Sequence, residues 1–196
     1  NMQVLQAAAD SPAKLSVDGK RLETPNASAG LGYVKTTMTG ANLNTFTVEK
    51  TAPGTSWGSV YAQFTQRTTD IVDASMGLSV KRELLYDGEL KVGSKVKVRI
   101  TITADRDYDF VQVVDKRAAC MEPANQLTGY RGGFYCSPRD NATYYYTDMM
   151  RKGTHVIENT YYIDRPGTFT TGTCTVQCAY SPAYMARTKA LTITVK

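Results

Sequence analysis

The stretch Lys95-Val-Lys-Val-Arg-Ile-Thr-Ile102 alternates basic or polar residues with β-branched apolar ones. A period of two puts Val96, Val98, Ile100 and Ile102 on one side and Lys95, Lys97 and Arg99 on the other. That is the pattern of a strand with one buried and one solvated face. Working outward, similar runs occupy residues 78–85, 108–115, 142–149, 154–164, 168–180 and 190–195. With 95–104 they make seven strands separated by turn residues, which predicts an antiparallel β-sandwich over 78–196. The same period assigns Val156, Leu191, Ile193 and Val195 to the core. In 168–180 it places Cys174, Val176, Cys178 and Tyr180 on one inward face, with Thr173, Thr175 and Gln177 on the other.

The chain of 196 residues has room for a second, smaller core before residue 78. Lys14 to Val17, the turn Asp18-Gly19 and Lys20 to Glu23 read as a hairpin. Strands are expected over 32–39, 45–51 and 57–67, with Gly40 and Ala52-Pro53-Gly54 as punctuation. The breaker-rich stretch 68–77 marks the boundary, giving a small β-domain at 1–77 and the sandwich at 78–196. The expected fold class is all-β. Residues 1–9 lack the charged start and apolar middle of a signal peptide, which fits an internal fragment. No window approaches the roughly 18 apolar residues of a membrane helix, so no direct membrane span is expected.

Charge is uneven. Six basic and six acidic residues precede Leu78, whereas 17 basic and 12 acidic follow, so the whole +5 lies in the second part. These cations alternate with carboxylates and β-branched residues as on a solvated strand face, and they do not cluster with stacking aromatics, which argues against nucleic acid.

His155 is the only histidine and lies within an alternating strand. Nucleophilic catalysis needs a base against a nucleophile and a third orienting group, so a non-enzyme is expected, with no cofactor and no metal. Asp105, Asp107, Asp109 and Asp115 have the oxygen chemistry of a calcium site, but Arg106, Lys116 and Arg117 stand among them, and local charge pairs are the better reading. Asn26 and Asn141 head glycosylation sequons, which matter only on a eukaryotic secretory route.

Four cysteines are candidate disulfide partners: Cys120, Cys136, Cys174 and Cys178. Residues four apart on one strand are about 13 Å apart, beyond the roughly 4.4 to 6.8 Å between bridged Cα atoms, so Cys174 does not pair with Cys178. Two connectivities stay open, Cys120 with Cys178 and Cys136 with Cys174, or Cys120 with Cys174 and Cys136 with Cys178. Buried free thiols are the other reading. Tyr130, Tyr135, Tyr144 and Tyr146 form a candidate aromatic contact surface for a sugar or an extended peptide. Consecutive tyrosines in Tyr144-Tyr-Tyr146 and Tyr161-Tyr162 must face opposite sides, so one of each run belongs to the core.

Ala104-Asp-Arg-Asp-Tyr-Asp-Phe-Val111, Asp115-Lys-Arg-Ala-Ala-Cys-Met-Glu-Pro123 and Gln126-Leu-Thr-Gly-Tyr130 resemble the C-terminal macroglobulin-like domain of bacterial alpha-2-macroglobulins. The likeness continues through Tyr135, Asp140, Lys152-Gly-Thr-His155, Arg165-Pro-Gly-Thr168 and Thr175-Val-Gln-Cys-Ala-Tyr-Ser-Pro182. After Pro182 the family's usual acid and histidine are missing from Ala183-Tyr-Met-Ala-Arg-Thr188. Ser56-Trp-Gly-Ser-Val-Tyr-Ala-Gln63 is similar to the segment that follows the thioester domain in these proteins. Cys120-Met-Glu-Pro123 is superficially similar to the Cys-x-Glu-Gln of the family's thioester, but Pro123 has no side-chain amide, and a loop is expected there.

The resemblance implies a non-catalytic scaffold of a protease-trapping inhibitor in the bacterial cell envelope, periplasmic or outer-membrane-associated. Its partners would be the thioester domain of the same parent chain and, through the intact protein, target proteases. A cell-surface adhesion module that binds host glycan or protein is the alternative.

Overall fold

The computed structural model describes residues 13–22, 37–40, 44–51 and 53–196. It divides into two compact units, Asn1–Gln63 and Phe64–Lys196.

In the first unit, β1 (Lys14–Val17) and β2 (Lys20–Arg21) are joined by Asp18-Gly19, both with positive φ, as a two-residue hairpin turn demands. The expected hairpin is therefore present, with Glu23 outside the described residues. The carboxylate of Asp18 accepts from the N–H groups of Asn44 and Thr45 at 3.1 and 2.8 Å. That anchors β3 (Phe46–Glu49) against the other side of β1. The strand expected at 32–39 and the sequon at Asn26 lie largely or wholly outside the described residues, and Thr37 to Thr39 are irregular.

The strand expected at 57–67 does not form. Trp57, Val60, Tyr61 and Phe64 do not share the period of two, and Trp57 is 94% exposed. No ladder partner satisfies this backbone among the described residues, so the β-propensity of its side chains has nothing to act on.

The second unit begins, in chain order, with a 3-10 turn at Thr68–Asp70, β4 (Ala74–Met76), β5 (Leu78–Leu85), β6 (Lys95–Ala104) and β7 (Tyr108–Lys116). It continues with β8 (Met121–Pro123), β9 (Gly129–Arg131), β10 (Phe134–Pro138), β11 (Ala142–Met150) and β12 (Gly153–Ile163). The last strands are β13 (Gly167–Thr170), β14 (Cys174–Cys178), β15 (Met185–Arg187) and β16 (Thr192–Val195). β4 precedes the 77/78 boundary expected from the sequence, yet it pairs with β5 and β15 and so is built into this sheet.

The hydrogen-bonded order is β8-β12-β6-β5-β4-β15-β14-β7-β11-β10-β9, and β13 pairs separately with β16. Every pairing is antiparallel. Strands distant in this order nevertheless touch through side chains. Thr143 Oγ1 on β11 lies 2.9 Å from the Tyr161 hydroxyl on β12, and Arg82 on β5 reaches Asp115 on β7. The sheet therefore folds over at β4 and β15 and packs on itself as the expected β-sandwich. Val96, Val98, Ile100 and Ile102 meet Val111, Val113, Cys174 and Val176 in one core.

Two expectations about faces are corrected. Val156 is 51% exposed, and the inward face of β12 is Ile157, Asn159, Tyr161 and Ile163. Asn159 is tolerated there because its amide donates to the Tyr161 hydroxyl at 3.1 Å and its carbonyl accepts from the Thr160 N–H at 3.1 Å. The expected single strand 168–180 is two strands in different sheets. The break falls at Gly172, where a Cβ would sit 2.4 Å from that of Lys116. Beyond Cys178 the chain turns, leaving Tyr180 79% exposed.

That break surrounds Arg82, whose side chain is 2% exposed. Its Nη1 donates to Asp115 Oδ1 at 2.9 Å and to the Lys116 carbonyl at 3.1 Å. Its Nη2 donates to Thr171 Oγ1 at 2.8 Å and to the carbonyls of Gly172 and Lys189 at 2.7 and 3.2 Å. One guanidinium thus ties β5 to β7 and to both connections flanking β14 and β15. Burial pushes the Asp115 carboxyl above the ordinary carboxylate range, with Arg82 acting against it. Arg82→Ala should lower unfolding stability by about 3–5 kcal/mol in denaturant melts, because it leaves Asp115 buried and unpaired. An Arg82→Met/Asp115→Leu double variant should recover much of that loss; a loss below about 1 kcal/mol in Arg82→Ala would contradict the account.

Candidate functional site

The outer face of β9, β10 and β11 carries the candidate tyrosines. β9 and β10 are joined by Gly132-Gly133 with φ of 57° and 85°, the conformation a two-residue hairpin turn requires and that glycine adopts without strain. This turn sets Tyr130 opposite Tyr135, and Tyr135 in turn opposite Tyr146. The three rings therefore form one row across three strands. Tyr130 and Tyr135 meet edge to face, with centroids 5.2 Å apart. Tyr144 lies two residues along β11 on the same face, its ring parallel to that of Tyr146 at 6.4 Å.

Tyr145 and Tyr161 point the other way and are buried, while Tyr162 is exposed, as the alternation requires. Burial pushes the Tyr161 hydroxyl up to about 12.

Tyr130, Tyr135 and Tyr146 line a shallow groove of about 390 Å³ with Gly133, Thr147, Asp148 and Met149. Thr147 Oγ1 donates to the Met149 carbonyl at 3.0 Å. Among the described residues the Asp148 side chain makes no ion pair or hydrogen bond. Beside it on β7, Phe110 stands half exposed and meets Tyr180 edge to face at 5.1 Å. Phe110 has φ +52°, a local kink that keeps β7 in register with β11 but leaves Tyr108 and Val111 both inward and turns Asp109 and Phe110 out. Alternation could place the β11 tyrosines outward, but nothing in the sequence showed that Phe110 and Tyr180 would flank them.

Of the aspartates expected to form local charge pairs, Asp105 does so with Arg106, Asp107 and Asp115 pair instead with the distant Arg151 and Arg82, and Asp109 makes no ion pair among the described residues. Asp105 is held low by Arg106 and accepts from the Tyr108 hydroxyl at 2.5 Å. Asp107 accepts from the Lys152 N–H at 2.7 Å and pairs with Arg151 at 2.9 Å, while Asp115 is buried with Arg82. Among the described residues no three His, Cys, Asp or Glu side chains converge as a metal site. His155 Nε2 lies 2.7 Å from the Arg151 carbonyl oxygen. The Lys152 amide and Arg151 hold the Asp107 carboxyl below the usual value of 3.8. Its contribution to stability is therefore complete above that value and is lost as pH falls through the folded pKa. A carboxyl NMR titration should place Asp107 below 3.8; a midpoint at or above that would refute the pairing.

The four cysteines are buried and unpaired. Cys120 precedes β8, so Met121–Pro123 is a short edge strand beside β12, and the loop expected there is corrected. Cys136 lies on β10, while Cys174 and Cys178 share the inward face of β14 as expected. Cys178 Sγ donates to the Asp109 carbonyl at 3.1 Å. Burial pushes the thiols of Cys120, Cys136 and Cys174 up, that of Cys174 well up. Buried, protonated thiols are poor nucleophiles. A thiol-titrating reagent should find none reactive in the native chain and all four on unfolding without reductant. Two or none on unfolding would demonstrate a disulfide.

The model of the bacterial alpha-2-macroglobulin MG10 domain matches residues 59–183. Among solved structures, the native conformation of Escherichia coli alpha-2-macroglobulin superposes with a TM-score of 0.58 at 17% identity, over 69% of this chain and 10% of that one. A crystal structure of the same protein from domain MG7 to the C-terminus gives 0.57 at 18%, over 65% and 25%. A Salmonella alpha-2-macroglobulin mutant gives 0.57 at 21%, over 63% and 9%. These likenesses establish the sandwich fold, and the chain spans a quarter or less of each protein. No curated protein matches the chain. The family model covers well over half of the sequence, almost wholly within the second folded unit, and the chain belongs to the bacterial alpha-2-macroglobulin MG10 domain family.

Proposed function

We propose that this chain is the non-catalytic scaffold at the C-terminal end of a larger, protease-trapping alpha-2-macroglobulin-like protein of the bacterial cell envelope. In this reading the sandwich packs beside a thioester domain of the same parent chain. It holds that domain closed until a target protease cuts the parent. The observation that carries the reading is the family match across 59–183, laid over a sandwich whose buried ion pair and Tyr161 hydroxyl are engaged in structure. Arg82 and Asp115 bind one another and four surrounding groups, and Tyr161 is held by Thr143 and Asn159. Such a domain acts by shape and rigidity, and its effect on chemistry is exerted on a neighbour.

The first unit, Asn1–Gln63, is then part of a small β-domain completed elsewhere in the parent. Trp57, Tyr61 and Phe64 stand exposed, and apolar surface of this kind favours burial against another domain.

The test uses the intact parent protein. Deleting the second unit, residues 64–196, should change the rate at which a small amine reacts with the thioester before any protease is added, and should impair retention of a protease afterwards. Unchanged amine reactivity together with unchanged trapping removes the scaffold role.

A further inference from the structure

The outer face of β9, β10, β11 and β7 bears Tyr130, Tyr135, Tyr146 and Phe110, with Tyr180 from the turn after β14. Each ring is at least two-fifths exposed or close to it, although burying aromatic area is among the larger gains available to a folding chain. Phe110 is presented by a backbone conformation that bulky side chains rarely adopt, and such strain concentrates where a side chain must be aimed outward.

We propose that the groove beneath these rings is a binding subsite for a neutral pyranose glycan chain. Tyr130, Tyr135 and Tyr146 are successive cross-strand partners, so their stems step across the face at the strand spacing of about 4.8 Å. That step is close to the length of one sugar unit in a β-1,4-linked chain. The electron-rich ring faces suit the axial C–H groups of pyranoses. Asp148, whose carboxylate has no partner among the described residues, is placed to accept hydrogen bonds from sugar hydroxyls, with the tyrosine hydroxyls at the rim.

Gly133 leaves the end of the groove open, since a side chain's first carbon there would meet nothing within 4 Å. The volume, about 390 Å³, falls in the range of small-ligand sites, about 300–1,000 Å³.

The same features argue for neutrality and against a peptide. No Lys or Arg lines the groove and one carboxylate does, which disfavours acidic glycans. An extended peptide gains its affinity by adding to a strand edge; Tyr135 and Tyr146 lie on strands paired on both sides, and the free edge beside them is the three-residue β9, too short to template an added strand. The proposal goes beyond the scaffold reading and does not depend on it.

The test is an NMR titration of the 196-residue chain with a neutral β-1,4-linked N-acetylglucosamine tetramer and, separately, with cellotetraose. Saturable shifts at the amides of Gly133, Tyr135, Tyr146 and Asp148 are expected with at least one of them. Tyr135→Ala and Tyr146→Ala should each weaken binding about tenfold. Tyr146→Phe, which keeps the ring, should lose much less, and Tyr162→Ala, exposed on β12, should change nothing. The absence of saturable shifts up to about 10 mM of either sugar, far weaker than a useful site, overturns the proposal. So does binding that survives both alanine variants, or a response confined to an extended peptide used as the control probe.

Discussion

A guanidinium sealed inside a β-sandwich has few places to go. Arg82 stands on β5, in one half of the folded-over sheet, and its hydrogen bonds all end in the other half or in the connections flanking β14 and β15. Without those partners the cation would need water, and the core would have to open to supply it. The pair it makes with Asp115 is not a large source of net stability, because desolvating both ions offsets most of their attraction. What it supplies is position. Five donor contacts to separate segments admit one arrangement of β5, β7 and the two connections, where apolar packing alone would accept several.

Gly172 follows from that constraint. The chain between β13 and β14 must bring Thr171 and its own carbonyl to Arg82, and this presses its backbone against Lys116 until no side chain fits. The strand that the sequence pattern runs continuously from 168 to 180 is cut there, and its two pieces enter different sheets. Phe169 and Val176, seven residues apart, would face opposite sides of a single pleated run, yet both meet the core, and that shift of phase is the trace the cut leaves in the pattern. β6 was legible because its neighbours are apolar on one face without exception. β12 was legible as a strand but not in phase, because the inward position taken by Asn159 hides the period that Ile157 and Tyr161 obey.

The short strands were the hardest to read. β8, β9 and β15 have three residues each, too few for any period to show, and they exist because longer neighbours offer them a ladder. Only β9 with β10 carried a usable signal, Tyr130-Arg-Gly-Gly-Phe-Tyr135, where a glycine pair sits between matched aromatics. The tyrosine row depends on that turn, so its membership was partly readable: Tyr130, Tyr135 and Tyr146 come together, and Tyr144 adjoins them without lining the groove. Phe110 and Tyr180 were beyond reach, one turned out by a positive φ and the other freed by the end of β14.

Inner and outer faces of the domain therefore carry different obligations. Inside, thiols, hydroxyls and the ion pair are held by packing and hydrogen bonds, so a substitution there alters stability before anything else. Outside, the aromatic rings leave much of their area in water, from 39% at Tyr135 and Tyr146 to 79% at Tyr180. Their concentration at one end of one sheet, beside Phe110, is what the proposed glycan subsite rests on. A glycan uses the unpaired Asp148 carboxylate as an acceptor, whereas a domain interface must pair it or keep it at the solvated rim.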